Sequence, residues 1–341
     1  MSPSEELRRI LRAQSLPAER DAVAAFVAAR LVQAGGRSVL AVLFFGSHKT
    51  GASPSSESAY DFFIVVSNYH EFYGSLRRAG LSPLNPALAS ILNAFLPPNL
   101  MAATFEREGR RCLAKCAVVT LRIFERETKG KRRDHFLAAR LFQSCEISFS
   151  RDPLVENLVI EALAGAALKT CEWAGPWLPA AFGLEDYIRT LFRVSLEAEI
   201  KPEGPERSEA LYLSQRAGLD PVYEQVLSDA ADRGDVRPLE RGRYRLERRT
   251  TKGERRKASL FFRCSKIRAT ARWLKYVWTF DGWLDYAVRK LERRGGDKVF
   301  LSARERRWPL VFLWPRIIRM VRAYRRRRSW TGNSGGRPCA S

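Results

Sequence analysis

Through residues 4–34 the apolar positions fall at helical spacing, with Leu7, Ile10 and Leu11 followed by Val23, Phe26, Val27 and Leu31. The pattern then changes. "RSVLAVLFF" is an unbroken apolar run dense in Val, Leu and Phe, which predicts a buried strand ended by Gly46. A polar loop runs to Ala59, and "YDFFIVV" predicts the strand that pairs with the first. "NPALASILNAFLPPNL" predicts a helix stopped by Pro97 and Pro98. "KCAVVTLRIFER" predicts a further strand, and "DHFLAARLFQSCEI" a helix after it. From about residue 151 the spacing turns helical, through "NLVIEALAGAALKTCEWA" and "GLEDYIRTLFRVSLEAEI" on either side of a "WLPAAF" turn. "GDVRPLERGRYRLERR" predicts a hairpin and "TTKGERRK" a solvated basic loop. No internal repeat or coiled-coil heptad is evident. The closing "TGNSGGRPCAS" is small and polar, which predicts a disordered tail.

Charge changes this picture most. At 341 residues the chain is long enough for two domains with real cores, and its formal net charge is +22 with a pI near 10.3. Such an excess implies an anionic partner: nucleic acid, anionic lipid or a phosphorylated substrate. The basic residues gather after about residue 236 and peak in "RAYRRRRSW". The six cysteines are scattered, and the CxxxC of Cys112 and Cys116 has no second pair or His cluster beside it. They are expected to be buried or idle thiols in a reducing compartment. "MSPSEELRRILRAQ" matches neither a secretory signal nor a transit peptide, and no apolar run reaches the roughly 18 to 20 residues that span a bilayer.

The chemistry-bearing stretch is "FFGSHKTGASPSSESAYDFFIVV". It sets a single carboxylate, Asp61, in a buried strand that follows a Gly-Ser turn. On its own, Asp61 can cap the loop. Alternatively Gly46, lacking a Cβ, lets the backbone approach an anion beside Ser47, and Asp61 on the next strand faces that site to hold Mg2+. An apolar strand, Gly-Ser, a spacer and an acidic strand resemble the nucleotidyltransferase superfamily that includes DNA polymerase β. That superfamily has Asp-x-Asp, whereas Ala59 stands two before Asp61 here.

The lone acid resembles the mitochondrial translocator assembly and maintenance protein family, the peripheral type of CDP-diacylglycerol synthase. Its "YGSG" turn and "DFIF"-like strand are similar to "FFGSHKTG" and "YDFFIVV", with His48 in place of the third Gly. Its "KYGVI" strand looks like "KCAVV", which places Lys115, and its "LYxAGRLxKP" helix looks like "HFLAARLFQS", which places Arg140. A later segment resembles "WLPAAFGLEDYIRTLFRVSLEAEIK", with Glu199 for the family's Asp, Lys201 for its Arg and Ala198 for its Gly. The likeness spans roughly residues 38–230.

The resemblance implies an α+β fold: a polymerase-β-like nucleotidyltransferase mixed sheet with helices over residues 1–150 and a mostly helical second domain over 151–235. It further implies transfer of CMP from CTP to phosphatidic acid at a membrane surface, with Mg2+. Gly46, Ser47, Lys115, Arg140 and Lys201 would meet the nucleotide, Asp61 and Glu199 the metal, and Asp61, Glu199 and Lys115 the chemistry. Read without the family, Lys115 and Arg140 are solvated surface cations and Glu199 lies on a solvated helix face. The alternatives are transfer to RNA or another acceptor, and an inactive anion-binding module.

The basic region, residues 236–330, closes on "RERRWPLVFLWPRIIRMVRAYRRRR", ahead of the tail at 331–341. On a helix begun near Pro315, Ile317, Ile318, Val321 and Tyr324 share one face, against Arg316, Arg319 and Arg322 on another. With Trp308, Phe312 and Trp314 beside them they predict a helix lying in an anionic membrane interface. Nucleic-acid binding and simple core packing are the alternatives. The expected location is cytoplasmic and peripheral, on the inner face of a membrane.

Overall fold

The computed structural model describes residues 3–51, 58–82, 84–129, 132–199, 205–248 and 250–279, with 288, 301–302 and 304–305. Helices α1 (Glu5–Ser15) and α2 (Ala22–Gly35) lead into β1 (Val39–Phe45), a one-turn α3 (Ser47–Thr50) and β2 (Tyr60–Val66). Then come α4 (Tyr69–Arg78), α5 (Pro86–Phe95), β3 (Asn99–Arg107), β4 (Arg110–Thr120), α6 (Leu121–Lys129), α7 (Ala138–Leu141) and β5 (Glu146–Ser150). The remainder comprises α8 (Pro153–Leu168), α9 (Thr170–Ala174), β6 (Phe182–Gly183), α10 (Leu184–Glu197), α11 (Pro205–Leu213), α12 (Arg216–Asp232), β7 (Val236–Leu239), β8 (Arg243–Leu246) and α13 (Lys252–Thr279).

Local chemistry explains where the helices begin. Ser4, Asp21, Asn68, Asn85 and Asp152 each accept a hydrogen bond from a first-turn amide, and Pro86 and Pro153 sit just inside their helices. The main sheet is mixed, in the order β3-β4-β2-β1-β5. β1 pairs antiparallel with both β2 and β5, β2 runs parallel to β4, and β3 closes the edge antiparallel to β4. A smaller antiparallel sheet has the order β6-β8-β7.

Both faces of the main sheet are covered, which is why β1 and β2 read as continuous apolar runs. One face buries Phe44, Phe62 and Ile64 against Val27 and Leu31 of α2 and Phe72 and Leu76 of α4. The other buries Leu43, Phe63, Val65 and Val119 with Ile160 and Leu163 of α8, Leu191 of α10 and Tyr223 of α12. This second core runs on through residues 150 and 235 and includes Phe262 of α13.

The fold is therefore α+β, and the two predicted strands pair as expected. Several elements differ from expectation. The strand expected over "KCAVVTLRIFER" stops at Thr120, because its neighbour β2 ends at Val66, the register partner of Thr120. The Thr120 N–H donates instead to Tyr69 Oη at 3.0 Å, and the chain turns helical with Phe124 and Thr128 fully buried one turn apart. β3 follows the Pro97–Pro98 stop and was not expected; Met101, Ala103 and Phe105 alternate into the core. The helix expected over "DHFLAARLFQSCEI" shrinks to Ala138–Leu141, since Glu146–Ser150 pairs along β1. "TTKGERRK" is the start of α13, not a loop. The Thr251 Oγ1 accepts from the Glu254 N–H and the Glu254 carboxylate accepts from the Thr251 N–H, a reciprocal cap. The "GDVRPLERGRYRLERR" hairpin is present as β7 and β8.

Residues 1–281 form one compact unit and residues 282–341 another. Within the second, the Ser302 N–H donates to Glu305 Oε2 at 2.8 Å. The expected amphipathic stretch from Trp308 to Tyr324, the tail at 331–341 and Lys201 lie outside the described residues. No helix among the described residues is long and apolar enough to cross a membrane. The described cysteines are free, and Cys112, Cys116 and Cys145 are buried.

Candidate active site

Three neighbouring strands bring the end of β1, the start of β2 and the middle of β4 side by side, and with them the Gly-Ser turn, the acid and a cation. Phe45 pairs with Asp61 across β1 and β2, and Asp61 pairs with Lys115 across β2 and β4. The Lys115 Nζ lies 3.8 Å from Asp61 Oδ1, and both side chains are partly exposed. An ion pair this long and this wet contributes at most about 1 kcal/mol. It serves to place a positive charge beside the carboxylate rather than to hold the fold.

Gly46 is where the backbone requires a glycine. Its φ of 85° and ψ of −165° lie in a region that only glycine adopts readily. A Cβ there would stand 2.6 Å from Asp61 Oδ2 and 3.1 Å from Asp61 Cβ. The turn and the carboxylate are packed as closely as main chain and side chain permit. α3 follows at once, with the Thr50 N–H donating to the Gly46 carbonyl at 3.0 Å.

His48 stands in place of the third Gly of the resembled family, and its side chain adds bulk next to Gly-Ser. Its ring stacks on Tyr60, with centroids 4.0 Å apart and planes within 10°, and Nε2 lies 3.1 Å from the Ser58 carbonyl oxygen. Successive residues of a strand point to opposite faces, so Tyr60 holds the imidazole on the side of β2 away from Asp61. The next residue, Lys49, reaches the buried Glu146 of β5 at 3.2 Å and ties α3 to the sheet edge. Neither contact has a local sequence signal, because the partners lie on other elements.

Of the remaining expected residues, Arg140 and Glu199 gather in a second cluster. Arg140, at the end of α7, donates to the Phe136 carbonyl at 2.9 Å and meets Glu199 Oε1 at 3.1 Å, with its guanidinium 3.9 Å from the Phe136 ring centre. Burial raises the Glu199 pKa, but Arg140 first and His135 next outweigh it, so the carboxyl is held below its ordinary range. Glu199 is thus an ionised partner for Arg140, while Asp61 faces Lys115. Behind them Asp134 receives Arg272 Nη1 at 2.7 Å and Arg268 Nε at 3.1 Å. These residues were not anticipated; Arg268 and Arg272 are hidden among the many arginines of the basic region.

His135 is fully buried, lies 3.9 Å from Glu199 Oε1, and neither ring nitrogen has a hydrogen-bond partner. Burial lowers its pKa to about 4; the charges of Glu199 and Asp134 oppose that shift, and those of Arg140 and Arg272 reinforce it. The folded protein therefore resists a proton that the unfolded chain accepts below about pH 6.5. Stability owed to neutral His135 is complete above pH 6.5 and is lost as pH falls toward 4. Between pH 7 and 4.5 the wild type should lose about 3 kcal/mol more in urea unfolding than His135→Leu. Equal losses in the two proteins would contradict the assignment.

Among the described residues, no group of three or more His, Cys, Asp or Glu is placed to hold a metal ion. The donors at the Asp61 turn nevertheless suit Mg2+, a hard cation that keeps several waters and binds through one or two carboxylates plus substrate phosphates. Asp61 would supply such a carboxylate, partly exposed and packed directly against the Gly46 backbone. No protein-family model and no curated protein matches the chain.

Proposed function

We propose that the protein is a nucleotidyltransferase that moves CMP from CTP to phosphatidate, forming CDP-diacylglycerol and pyrophosphate at a membrane surface. The observation that carries this reading is the close approach of Gly46 to Asp61, with Lys115 on the adjoining parallel strand. A bare backbone beside a carboxylate is what a site for a metal-bound polyphosphate needs. The order of the Gly-Ser strand, the acid strand and the Lys strand in one mixed sheet supports the polymerase-β-like fold assignment.

In this reading a phosphatidate oxygen forms a bond to the α-phosphorus, and the α–β bridge breaks with its electron pair leaving on pyrophosphate. Phosphatidate is already an anion, so the reaction needs no strong base, and positioning and charge neutralisation provide the rate. Gly46 and Ser47 admit the triphosphate to the turn. Asp61 would hold Mg2+, which supplies charge neutralisation on the phosphates when bound. Lys115 stabilises the charge that grows on the leaving group. Glu199, ion-paired with Arg140, would orient it for the phosphate of the lipid headgroup. The arginine-rich aromatic segment at 308–324 would keep the enzyme at an anionic bilayer.

The test is incubation with each nucleoside triphosphate, Mg2+ and vesicles containing phosphatidate. CTP alone should yield a lipid-linked nucleotide together with pyrophosphate. Label appearing on added RNA instead would favour the other acceptor, and no transfer at all would leave an anion-binding module.

A further inference from the structure

A cavity of about 740 Å3 lies away from the Asp61 turn, between α9, the small sheet, the end of α12 and the first half of α13. Its walls are mostly apolar, with Trp173, Phe182, Leu227, Leu246 and Phe261 prominent. That volume falls in the range of about 300–1,000 Å3 typical of sites for small ligands. One wall residue is out of character. Arg132 contributes to the lining, yet all three of its guanidinium nitrogens are shielded from solvent and lack a hydrogen-bond partner. The guanidinium rests against Trp173, 5.0 Å from the ring centre.

Glu172 and Glu127 act on this charge only at a distance, and none of the acids of the same wall is hydrogen-bonded to it. Glu172 is taken by Lys169 at 2.5 Å, Asp235 by Arg233 at 3.0 Å and Glu254 by Arg248 at 2.6 Å. Lys257 adds another cation to the lining. A buried cation without a hydrogen-bonded partner is a costly arrangement, and burial lowers the Arg132 pKa to about 10 against the opposing charges of Glu172 and Glu127. An oxyanion entering the cavity would draw the guanidinium off Trp173 and supply the missing partner.

We propose that this cavity binds an anionic amphiphile, with the oxyanion head on Arg132 and the apolar body among the aromatic and aliphatic walls. The site is separate from the nucleotide reading, since Gly46, Asp61 and Lys115 are not part of its lining. The geometry asks for both halves of the ligand. A bare anion would leave the apolar walls wet, and a neutral chain would leave Arg132 unpaired.

Calorimetric titration with decyl phosphate, decanoate, decanol and inorganic phosphate tests this on the full chain. Both anionic amphiphiles should bind, and the two phosphate-headed and carboxylate-headed probes rank the head. Decanol and inorganic phosphate should each bind at least tenfold more weakly. Arg132→Met should weaken decyl phosphate roughly 10- to 100-fold, as loss of a charged hydrogen bond does, while decanol is unaffected and Arg132→Lys recovers part of the loss. Ala258→Trp, which fills the cavity from α13, should abolish binding of both amphiphiles. Thermal melts establish that each variant is folded, and Arg132→Lys and Ala258→Trp decide the matter if Arg132→Met is not. Unchanged decyl phosphate binding in the folded variants, equal binding of inorganic phosphate, or no binding to the wild type would overturn the proposal.

Discussion

Gly46→Ala should lower nucleotidyl transfer by at least about 100-fold while leaving a folded protein. Two effects act at the same atom. Alanine at φ 85° and ψ −165° carries backbone strain of about 1–3 kcal/mol. Its Cβ would also stand 2.6 Å from Asp61 Oδ2, closer than real contacts allow, so the carboxylate must move. Displacing a catalytic group by about an ångström is enough to cost roughly 100-fold. The strain alone is a modest part of the roughly 5–15 kcal/mol that holds a domain together, so circular dichroism and the urea midpoint should change little beside activity. Ser47→Ala, next in the turn but without the close approach, provides the comparison. Activity within a few fold of wild type in Gly46→Ala would mean that the turn and Asp61 do not act together.

Arg272→Ala should destabilise the protein by about 3–5 kcal/mol, the largest stability effect expected of a single charge removal here. Arg272 is almost fully buried on α13 and donates to Asp134 Oδ2 at 2.7 Å and to the Pro97 carbonyl at 3.1 Å. Its guanidinium also covers the Phe136 ring at 4.6 Å. It thereby fastens the basic helix to the loop before β3 and to the segment before α7. Burial raises the Asp134 pKa, but Arg272, the Phe136 N–H and Arg268 outweigh it and hold the carboxyl below its ordinary range. Without Arg272 that carboxylate stays buried with the partly exposed Arg268 as its ion-pair partner and the Phe136 N–H as a donor. The double variant Asp134→Leu/Arg272→Met should therefore be more stable than Arg272→Ala, because it removes both charges. Urea unfolding of the three proteins checks this. The Asp134 contribution is complete at neutral pH and disappears as pH falls below about 4, where the unfolded carboxyl takes its proton first.

The parts of this architecture that could be read from the chain are those written in adjacent residues. The apolar runs ending at Phe45 and Val66 define β1 and β2, and the Gly-Ser between them locates the turn against which Asp61 packs. Lys115 was reachable through its likeness to a family strand, and the parallel register places it opposite Asp61. The second cluster was not legible as a cluster. Asp134 and Arg272 are 138 positions apart, and Arg272 sits in a region where arginine is common. Arg140 and Glu199 were each singled out, but nothing local indicates that they pair with one another. Two misreadings had a visible signal. Thr251 and Glu254 have the spacing of a reciprocal cap, and beyond Thr120 the apolar positions change to helical spacing. Composition obscured the first and an adjoining strand the second.

The orientation of His48 bears on the same question from another side. Ring stacking on Tyr60 removes the bulk that the sequence places next to Gly-Ser, so the departure from a third glycine does not fill the turn. The partly exposed Asp61–Lys115 pair is then the chemical centre of the account.

The most direct measurement follows α-phosphorus-labelled CTP into lipid, with wild type and Asp61→Ala compared on phosphatidate vesicles in the presence of Mg2+. The account predicts labelled CDP-diacylglycerol and one pyrophosphate for each lipid formed by the wild type, and loss of at least about 1,000-fold in Asp61→Ala, about 4 kcal/mol of barrier. Equal label transfer by the two proteins, or none by a folded wild type, would contradict it.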